Sequence, residues 1–223
     1  MCYLRSFGKQ SKFLPFEQDI RLKQSKTRIA GVDEAGRGPW AGPVVAAVVI
    51  LPEDPTFLYQ DLRDSKQMTP RARFRMYDLI SEKAVDFGIA LVSAADIDRM
   101  NILEATKKAM VEAVHNLSGA PDHLLIDGNQ KISINISQDT IVKGDAQCCS
   151  IAAASVMAKV FRDRVMIEFD QKYPQYKFYR HKGYGTKLHH EILMDIGPCP
   201  IHRRSFSPIR KLIQFEGEYV YES

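Results

Sequence analysis

The 223-residue sequence predicts an α/β layer protein with a mixed β-sheet flanked by helices. Three observations carry that expectation. Short apolar segments rich in β-branched residues alternate with segments of helical period. The first two strand segments are separated only by a Gly/Pro loop, with no helix between them, so a purely parallel sheet is excluded. With 45% hydrophobic residues, the chain can bury one sizeable core without a second domain.

Residues 1–26 are polar, basic and too short for a domain, and are expected to form an N-terminal arm before a single domain at 27–223. Strands are predicted at 27–34 and 44–51, paired with each other. The segment MTPRARFRMYDLISEKA reads as a helix, with Thr69 as N-cap, Pro70 at the first position and Met76, Leu79 and Ile80 on one stripe. DFGIALVS is a third strand. In NILEATKKAMVEAVHNL, Asn101 and Glu104 have the spacing of a capping box, and Ile102, Ala105, Ala109, Ala113 and Leu117 recur at helical intervals. DHLLIDG and ISQDTIVKGD supply strands four and five. SIAAASVMAKVFRDRVMIEFDQKY is a long helix, Ala-rich where it would pack closely on a sheet. GYGTKLHHEILMDIGP is a further helix, with Thr186 as N-cap and Gly197 and Pro198 as its stop.

No run approaches 18 apolar residues and the N-terminus lacks the apolar centre of a signal peptide, so a soluble, cytoplasmic protein with no membrane association is expected. The cysteines, at 2, 148, 149 and 199, form no C-x-x-C pair and match no zinc spacing, and read as ordinary buried thiols. Charge is unevenly spread. Residues 159–211 hold 12 Lys/Arg against 5 Asp/Glu, whereas residues 29–158 hold 12 against 17. A polyanion partner fits this division, its phosphates meeting the basic part while a cation joins them to the acidic part.

The first strand runs into Asp33 and Glu34 and then a loop with Gly36, Gly38 and Gly42. Successive strand side chains point to opposite faces, so one carboxylate of the doublet should face the core, where an unpaired charge costs several kcal/mol or more. The doublet therefore asks for a cation. Glu34, on the opposite parity, is expected to join only because regular strand geometry breaks at or just after it. Gly36, Gly38 and Ala41 satisfy the dinucleotide fingerprint G-x-G-x-x-G/A, but Pro43 and the β-branched run VVAAVVIL replace the helix that fingerprint needs. A glycine loop beside carboxylates suits instead the close approach of a sugar-phosphate backbone, with Arg37 as a phosphate-type donor.

A two-metal phosphodiesterase site needs three or four convergent carboxylates holding ions about 3.5–4 Å apart. Asp127 ends an apolar strand, where α/β proteins collect ligands, although Asp-Gly is equally a turn signal. Asp145 precedes the long helix and reads on its own as a cap. Asp163, between Arg162 and Arg164, reads as a salt-bridging surface acid. His189 and His190 cannot both face one site from a helix and receive no chemistry. YKFYRHKGYGTK mixes aromatics and cations as nucleic-acid contacts do.

With these pieces in place, the sequence closely resembles the ribonuclease HII family. GVDEAGRGPWAGPVVAAVVIL, DSKQM, LIDGN, KGDAQCCSIAAASVMAKVFRDRVM, HKGYGT and GPCPIHRRSF occur in family order across residues 27–207. The resemblance implies a ribonuclease H-like fold with a C-terminal helical extension from about 175. It implies an endonuclease that hydrolyses the RNA strand of RNA/DNA hybrids and nicks duplex DNA at embedded ribonucleotides, by in-line attack of water, leaving 5′-phosphate and 3′-hydroxyl ends. Asp33, Glu34, Asp127 and Asp145 match the family's active-site acids and its ligands for Mn²⁺ or Mg²⁺, two ions when substrate is bound. Gly36, Arg37 and Gly38 match the loop that senses the 2′-hydroxyl, and Tyr184 the tyrosine that stacks on the sugar at the RNA-to-DNA junction. Ser65 and Lys66 match a phosphate-binding motif, and Arg203 a motif of substrate-side support. The short lead-in favours HII over ribonuclease HIII, which carries an N-terminal substrate-binding domain. A monomer is expected, and the alternative from another class is a non-catalytic hybrid-binding protein.

Overall fold

The structure, a computed structural model, describes residues 28–55, 58 and 68–218. The expected N-terminal arm and Ser65–Lys66 lie outside those residues. Five strands form one sheet in the order β3-β2-β1-β4-β5. β1 (Ile29–Ala35) runs antiparallel to β2 (Val44–Ile50), and β2 antiparallel to β3 (Asp86–Val92). β1 is parallel to β4 (His123–Asp127), which is parallel to β5 (Ser137–Ile141). The sheet is therefore mixed, as expected, and the carboxyl ends of β1 and β4 lie side by side.

Helices cover both faces, which is why the whole of VVAAVVI in β2 is apolar and buried. Val45, Ala47 and Val49 pack with Met76 and Ile80 of α1 (Pro70–Lys83) and the start of α4 (Cys149–Lys172). Val44, Ala46, Val48 and Ile50, with Ala30 and Val32 of β1, face α2 (Ala94–Met100) and α3 (Ile102–His115). Close packing of α4 on β1 requires Gly31, because a Cβ there would lie 2.1 Å from the Ser150 carbonyl carbon.

The expected caps form, with one correction. Thr69 accepts from the Ala72 amide and Thr186 from the His189 amide. Asn101 accepts from the Leu103 and Glu104 amides, but its own N–H donates to Ile97 and not to the Glu104 side chain. The capping box is only half made because α2, absent from the predicted elements, ends on the same residue. Asn101 joins the two helices at φ 73°, a left-handed value that asparagine tolerates better than most. Asn101→Ala is expected to cost about 1–2 kcal/mol, and Asn101→Gly less, read from denaturant midpoints.

After α4 the chain forms a 3₁₀ turn at Pro174–Tyr176, α5 (Phe178–His181), α6 (Lys187–Ile196) and α7 (Ser207–Glu218). Met166, Tyr176, Phe178, Leu193, Cys199 and Ile209 make their common core. α7 falls within the C-terminal helical extension that the resemblance implies and adds no separately predicted element, although Ile209, Leu212 and Ile213 recur at helical spacing. These helices bring residues 182–185 and 199–203 against the loop that follows β1.

Candidate active site

Because Val32 pairs with Ile126, the next residues, Asp33 and Asp127, lie on neighbouring parallel strands just past their last pairing. Both line a cavity of about 220 Å³ with Glu34, Arg37, Ser155, Lys159 and Tyr184. Strand pairing continues through Glu34↔Ala46 and Ala35↔Val45, so the break expected at or just after Glu34 comes after Ala35, at Gly36 with φ 96°. Glu34 does point to the opposite face, where it also lines a second, smaller cavity with Thr106 and Met110 of α3. It shares the cavity with Asp33 because the cavity sits over the tip of the strand and is reached from both faces.

Each carboxylate is partly anchored. Asp33 Oδ1 accepts from the Glu34 amide at 2.7 Å, and Asp127 Oδ1 from the Gly144 amide at 2.7 Å. Glu34 Oε1 lies 3.5 Å from Arg37 Nη1. Asp33 is buried, and that burial, followed by the negative charges of Glu34 and Asp127, pushes its carboxyl well above the usual range. Hard oxygen donors in mutual repulsion suit a divalent cation such as Mg²⁺ or Mn²⁺. Among the described residues no three acidic, histidine or cysteine side chains already stand as a metal-holding group. The carboxylates would have to turn toward an arriving ion, and each anchored carboxylate has a second oxygen with which to do so.

A carboxyl whose pKa is raised by folding binds its proton more tightly folded than unfolded. Its stabilising contribution is complete below the ordinary carboxylate pKa and is lost as pH rises through the folded value. Above that value, ionised Asp33 works against the fold unless a cation is bound. Asp33→Asn is accordingly expected to raise the thermal midpoint of the protein in chelator at pH 8 by a few degrees, measured by calorimetry. Added Mn²⁺ should reverse the order of the two proteins.

The glycine loop is held from beneath by two buried guanidiniums. Arg203 donates through Nε to Gly42 O at 3.0 Å, Nη1 to Arg37 O at 2.9 Å and Nη2 to Gly36 O at 2.6 Å. Arg162 donates to Pro43 O, Lys182 O and Ala41 O at 3.0–3.1 Å. Burial lowers the pKa of both, that of Arg203 to about 9, so Arg203 remains charged at neutral pH. Gly36 has no alternative residue, since a Cβ would lie 2.1 Å from Arg162 Nε and its φ is positive. Gly38 is exposed, and a Cβ added there would meet nothing within 4 Å.

Tyr184 is 40% exposed at the cavity edge, with Lys159 Nζ 5.5 Å and the Arg162 guanidinium 5.7 Å from its ring centre. Lys159 also pairs with Asp163 at 2.8 Å, so the surface role expected of Asp163 becomes support for a cation in the cavity wall. Asp145 is buried in a 3₁₀ turn, Gly144–Ala146, beside Asp127, but does not line the cavity. It does not cap α4, whose N-cap is Cys148. Thus Asp33, Glu34, Asp127, Gly36, Arg37 and Tyr184 come together, Arg203 lies below them, and Asp145 adjoins them.

Sequence reasoning missed Ser155, Lys159 and Arg162. Ser155 and Lys159 are four residues apart on α4, and that spacing on the helix packed against β1 was the available signal.

The sequence profile described as Ribonuclease HII matches residues 30–209. A ribonuclease HII of Acetivibrio thermocellus is 56% identical over 179 residues, 80% of this chain and 69% of that protein. One of Endomicrobium trichonymphae is 53% identical, covering 83% of this chain and 88% of that protein. Among solved structures, ribonuclease H2 from Pyrococcus horikoshii superposes with a TM-score of 0.71 at 29% identity, over 85% of this chain and 98% of that one.

Proposed function

We propose a mode of action from the premise that this chain belongs to the ribonuclease HII family and is an endoribonuclease of the ribonuclease H type. The RNA strand of an RNA/DNA hybrid, or a single ribonucleotide in duplex DNA, lies with its scissile phosphate over Asp33, Glu34 and Asp127. The observation that carries this reading is one cavity lined by three carboxylates from two strand ends, a glycine-loop arginine and an exposed tyrosine. Asp33, Glu34 and Asp127 would hold the divalent cation, with Asp145 completing the acidic set. A bound cation supplies Lewis acidity at the phosphate and neutralises the carboxylates. A ribonuclease HIII related in fold, at TM-score 0.64 and 19% identity, over 86% of this chain and 70% of that one, has been solved in complex with Mn²⁺. Whether Mn²⁺ or Mg²⁺ serves here is decided by titrating each into the chelated protein.

The remaining groups orient the substrate. Arg203 and Arg162 occupy the carbonyls of the loop from below, which leaves exposed Arg37 and Gly38, with Gly36 in the cavity lining, to meet the ribose and its 2′-hydroxyl. A site that hydrogen-bonds this hydroxyl rejects DNA, because its own polar groups would be left unpaired. Tyr184 presents its ring to the neighbouring sugar, and Lys159 offers its ammonium toward the phosphate backbone. A monomer as the working unit is part of this proposal. A cytoplasmic location is part of it too. No helix among the described residues is long and apolar enough to cross a membrane.

Gly38 tests the reading without disturbing the fold. Nothing in the protein opposes a methyl group there, so Gly38→Ala should melt within about 1 °C of the parent, a neutral surface change. If ribose packs on this glycine, KM for a ribonucleotide-containing duplex should rise about tenfold, the equivalent of ~1.4 kcal/mol. Unchanged kinetics in Gly38→Ala would remove the loop from the substrate surface. Single-turnover cleavage of a labelled hybrid with end-group analysis tests the products, which should be 5′-phosphate and 3′-hydroxyl.

A further inference from the structure

Away from the acidic cavity lie three buried histidines, His181, His189 and His202. Hydrogen-bond chemistry assigns the protons of the last two. His189 Nδ1 is 3.0 Å from the Tyr184 carbonyl oxygen, which can only accept and takes its other hydrogen bond from the Thr186 amide at 2.8 Å, so Nδ1 carries the proton. His189 Nε2 is then the acceptor, and His202 Nε2, 3.0 Å away, donates to it. His202 Nδ1 is left to accept from the Cys199 amide at 2.9 Å, and the Cys199 carbonyl oxygen, 3.2 Å from the same nitrogen, accepts instead from the His202 amide at 3.0 Å. Both rings are thereby satisfied as neutral imidazoles, and a directional chain runs from the 199–203 turn to the Tyr184 carbonyl. Burial agrees with that neutral state, lowering His189 to about 3 and His202 to about 4.

The same turn governs the glycine loop, because Arg203 follows His202 directly and holds Gly36 and Arg37 from below. The backbone around Tyr184 is fixed on every side. The Lys182 carbonyl accepts from Arg162, the Gly183 carbonyl from the Trp40 amide, and the Tyr184 amide donates to the His181 carbonyl. His181 stacks on His189 with centroids 4.2 Å apart, and Trp40 packs 5.6 Å from the same ring. A pair of apolar side chains could fill this space, but would take away the imidazole partners of the Tyr184 carbonyl and of the Cys199 amide. What the imidazoles add is direction.

We propose that His189 is a positioning residue for substrate recognition: its Nδ1–H holds the Tyr184 carbonyl, and His202 fixes the tautomer that makes this possible. The Tyr184 ring is thereby set at a fixed height over the cavity and in register with the glycine loop. This rests on the reading of Tyr184 as the ring that meets the sugar at the RNA-to-DNA junction.

Two near-isosteric variants separate this role from general packing. His189→Asn places an amide N–H near the Nδ1 position and keeps the donation to Tyr184, while His189→Gln reaches the Nε2 position and loses it. Both forfeit the ring stacking. The measurement is the ratio of kcat/KM on a duplex with one ribonucleotide to kcat/KM on a uniform RNA/DNA hybrid, with Tyr184→Ala alongside. The expected result is a fall of about tenfold in this ratio for His189→Gln, the size seen when a supporting partner is removed, and under threefold for His189→Asn. Equal losses in the two variants, or an unmoved ratio in His189→Gln, overturn the proposal. If Tyr184→Ala leaves the ratio unchanged, the reading of the tyrosine fails and the proposal with it. If Tyr184→Ala lowers the ratio and His189→Gln does not, only the histidine assignment fails. Should either variant not fold, ¹⁵N spectra of the unaltered protein decide the point, since a proton on His189 Nε2 and none on Nδ1 contradicts the chain.

Discussion

Asp127→Asn should reduce cleavage by about 10³-fold or more while the protein melts as the parent does. The structural part of Asp127 is small. It is half-buried, and its Oδ1 accepts from the Gly144 amide, a bond that the asparagine oxygen reproduces. What the substitution removes is one negative charge from a set of three, where Glu34 and Asp127 already act on Asp33. A divalent cation loses a ligand and much of the field that attracts it, so calorimetric titration should show weaker metal binding. Undiminished cleavage by Asp127→Asn would mean that these carboxylates do not form the reaction centre.

Arg203→Ala should be the most destabilising single change in the site. It leaves the carbonyls of Gly36, Arg37 and Gly42 without their donor in a buried place. At about 1–3 kcal/mol for each orphaned group, partly relieved by water entering, a loss of roughly 3–5 kcal/mol is expected. That is a large share of the roughly 5–15 kcal/mol that holds a domain together. The thermal midpoint should fall by about 10–15 °C. Arg203→Lys should recover little, because one ammonium cannot reach three carbonyls arranged around a planar guanidinium. A lysine variant with parental stability would show that the loop does not depend on this geometry.

The arginines also show where the sequence misleads. Arg162 and Arg203 both belong to the basic surplus of residues 159–211, which reads as a surface for a polyanion. Both are buried and donate to backbone carbonyls, so neither meets phosphate directly. Composition records charge and not depth. The fold class was legible because β2 is uniformly apolar and the helix caps carry their own signals at Thr69, Asn101 and Thr186. Helices α2 and α7 were not. α2 is too short to establish a period, and α7 follows a turn held by Asp98, far away in sequence, which accepts from the Arg204 and Ser205 amides.

Within the site, Asp33, Glu34 and the glycine loop could be found because they are contiguous. Asp127 could only be suspected at the end of an apolar strand, since its position beside Asp33 depends on the parallel pairing of β1 with β4. Alternation along the strand correctly separated Asp33 from Glu34. It placed a break at or just after Glu34 as the condition for both to serve one site; the strand runs one residue further, and the cavity over its tip is open to both faces. His189 was set aside because its neighbour His190 points away. The helix buries the first and exposes the second, and no local pattern identifies His202 as the partner.

The central claim is that these three carboxylates and the glycine loop form one cation-dependent site that recognises a ribose. It is tested most directly with an end-labelled DNA duplex carrying one ribonucleotide, incubated with the protein and Mn²⁺ or Mg²⁺. The account requires a single nick beside the ribonucleotide, leaving 3′-hydroxyl and 5′-phosphate ends, and no nick in chelator or in the matching all-DNA duplex. No cleavage with either metal, or equal cleavage of the all-DNA duplex, would contradict it.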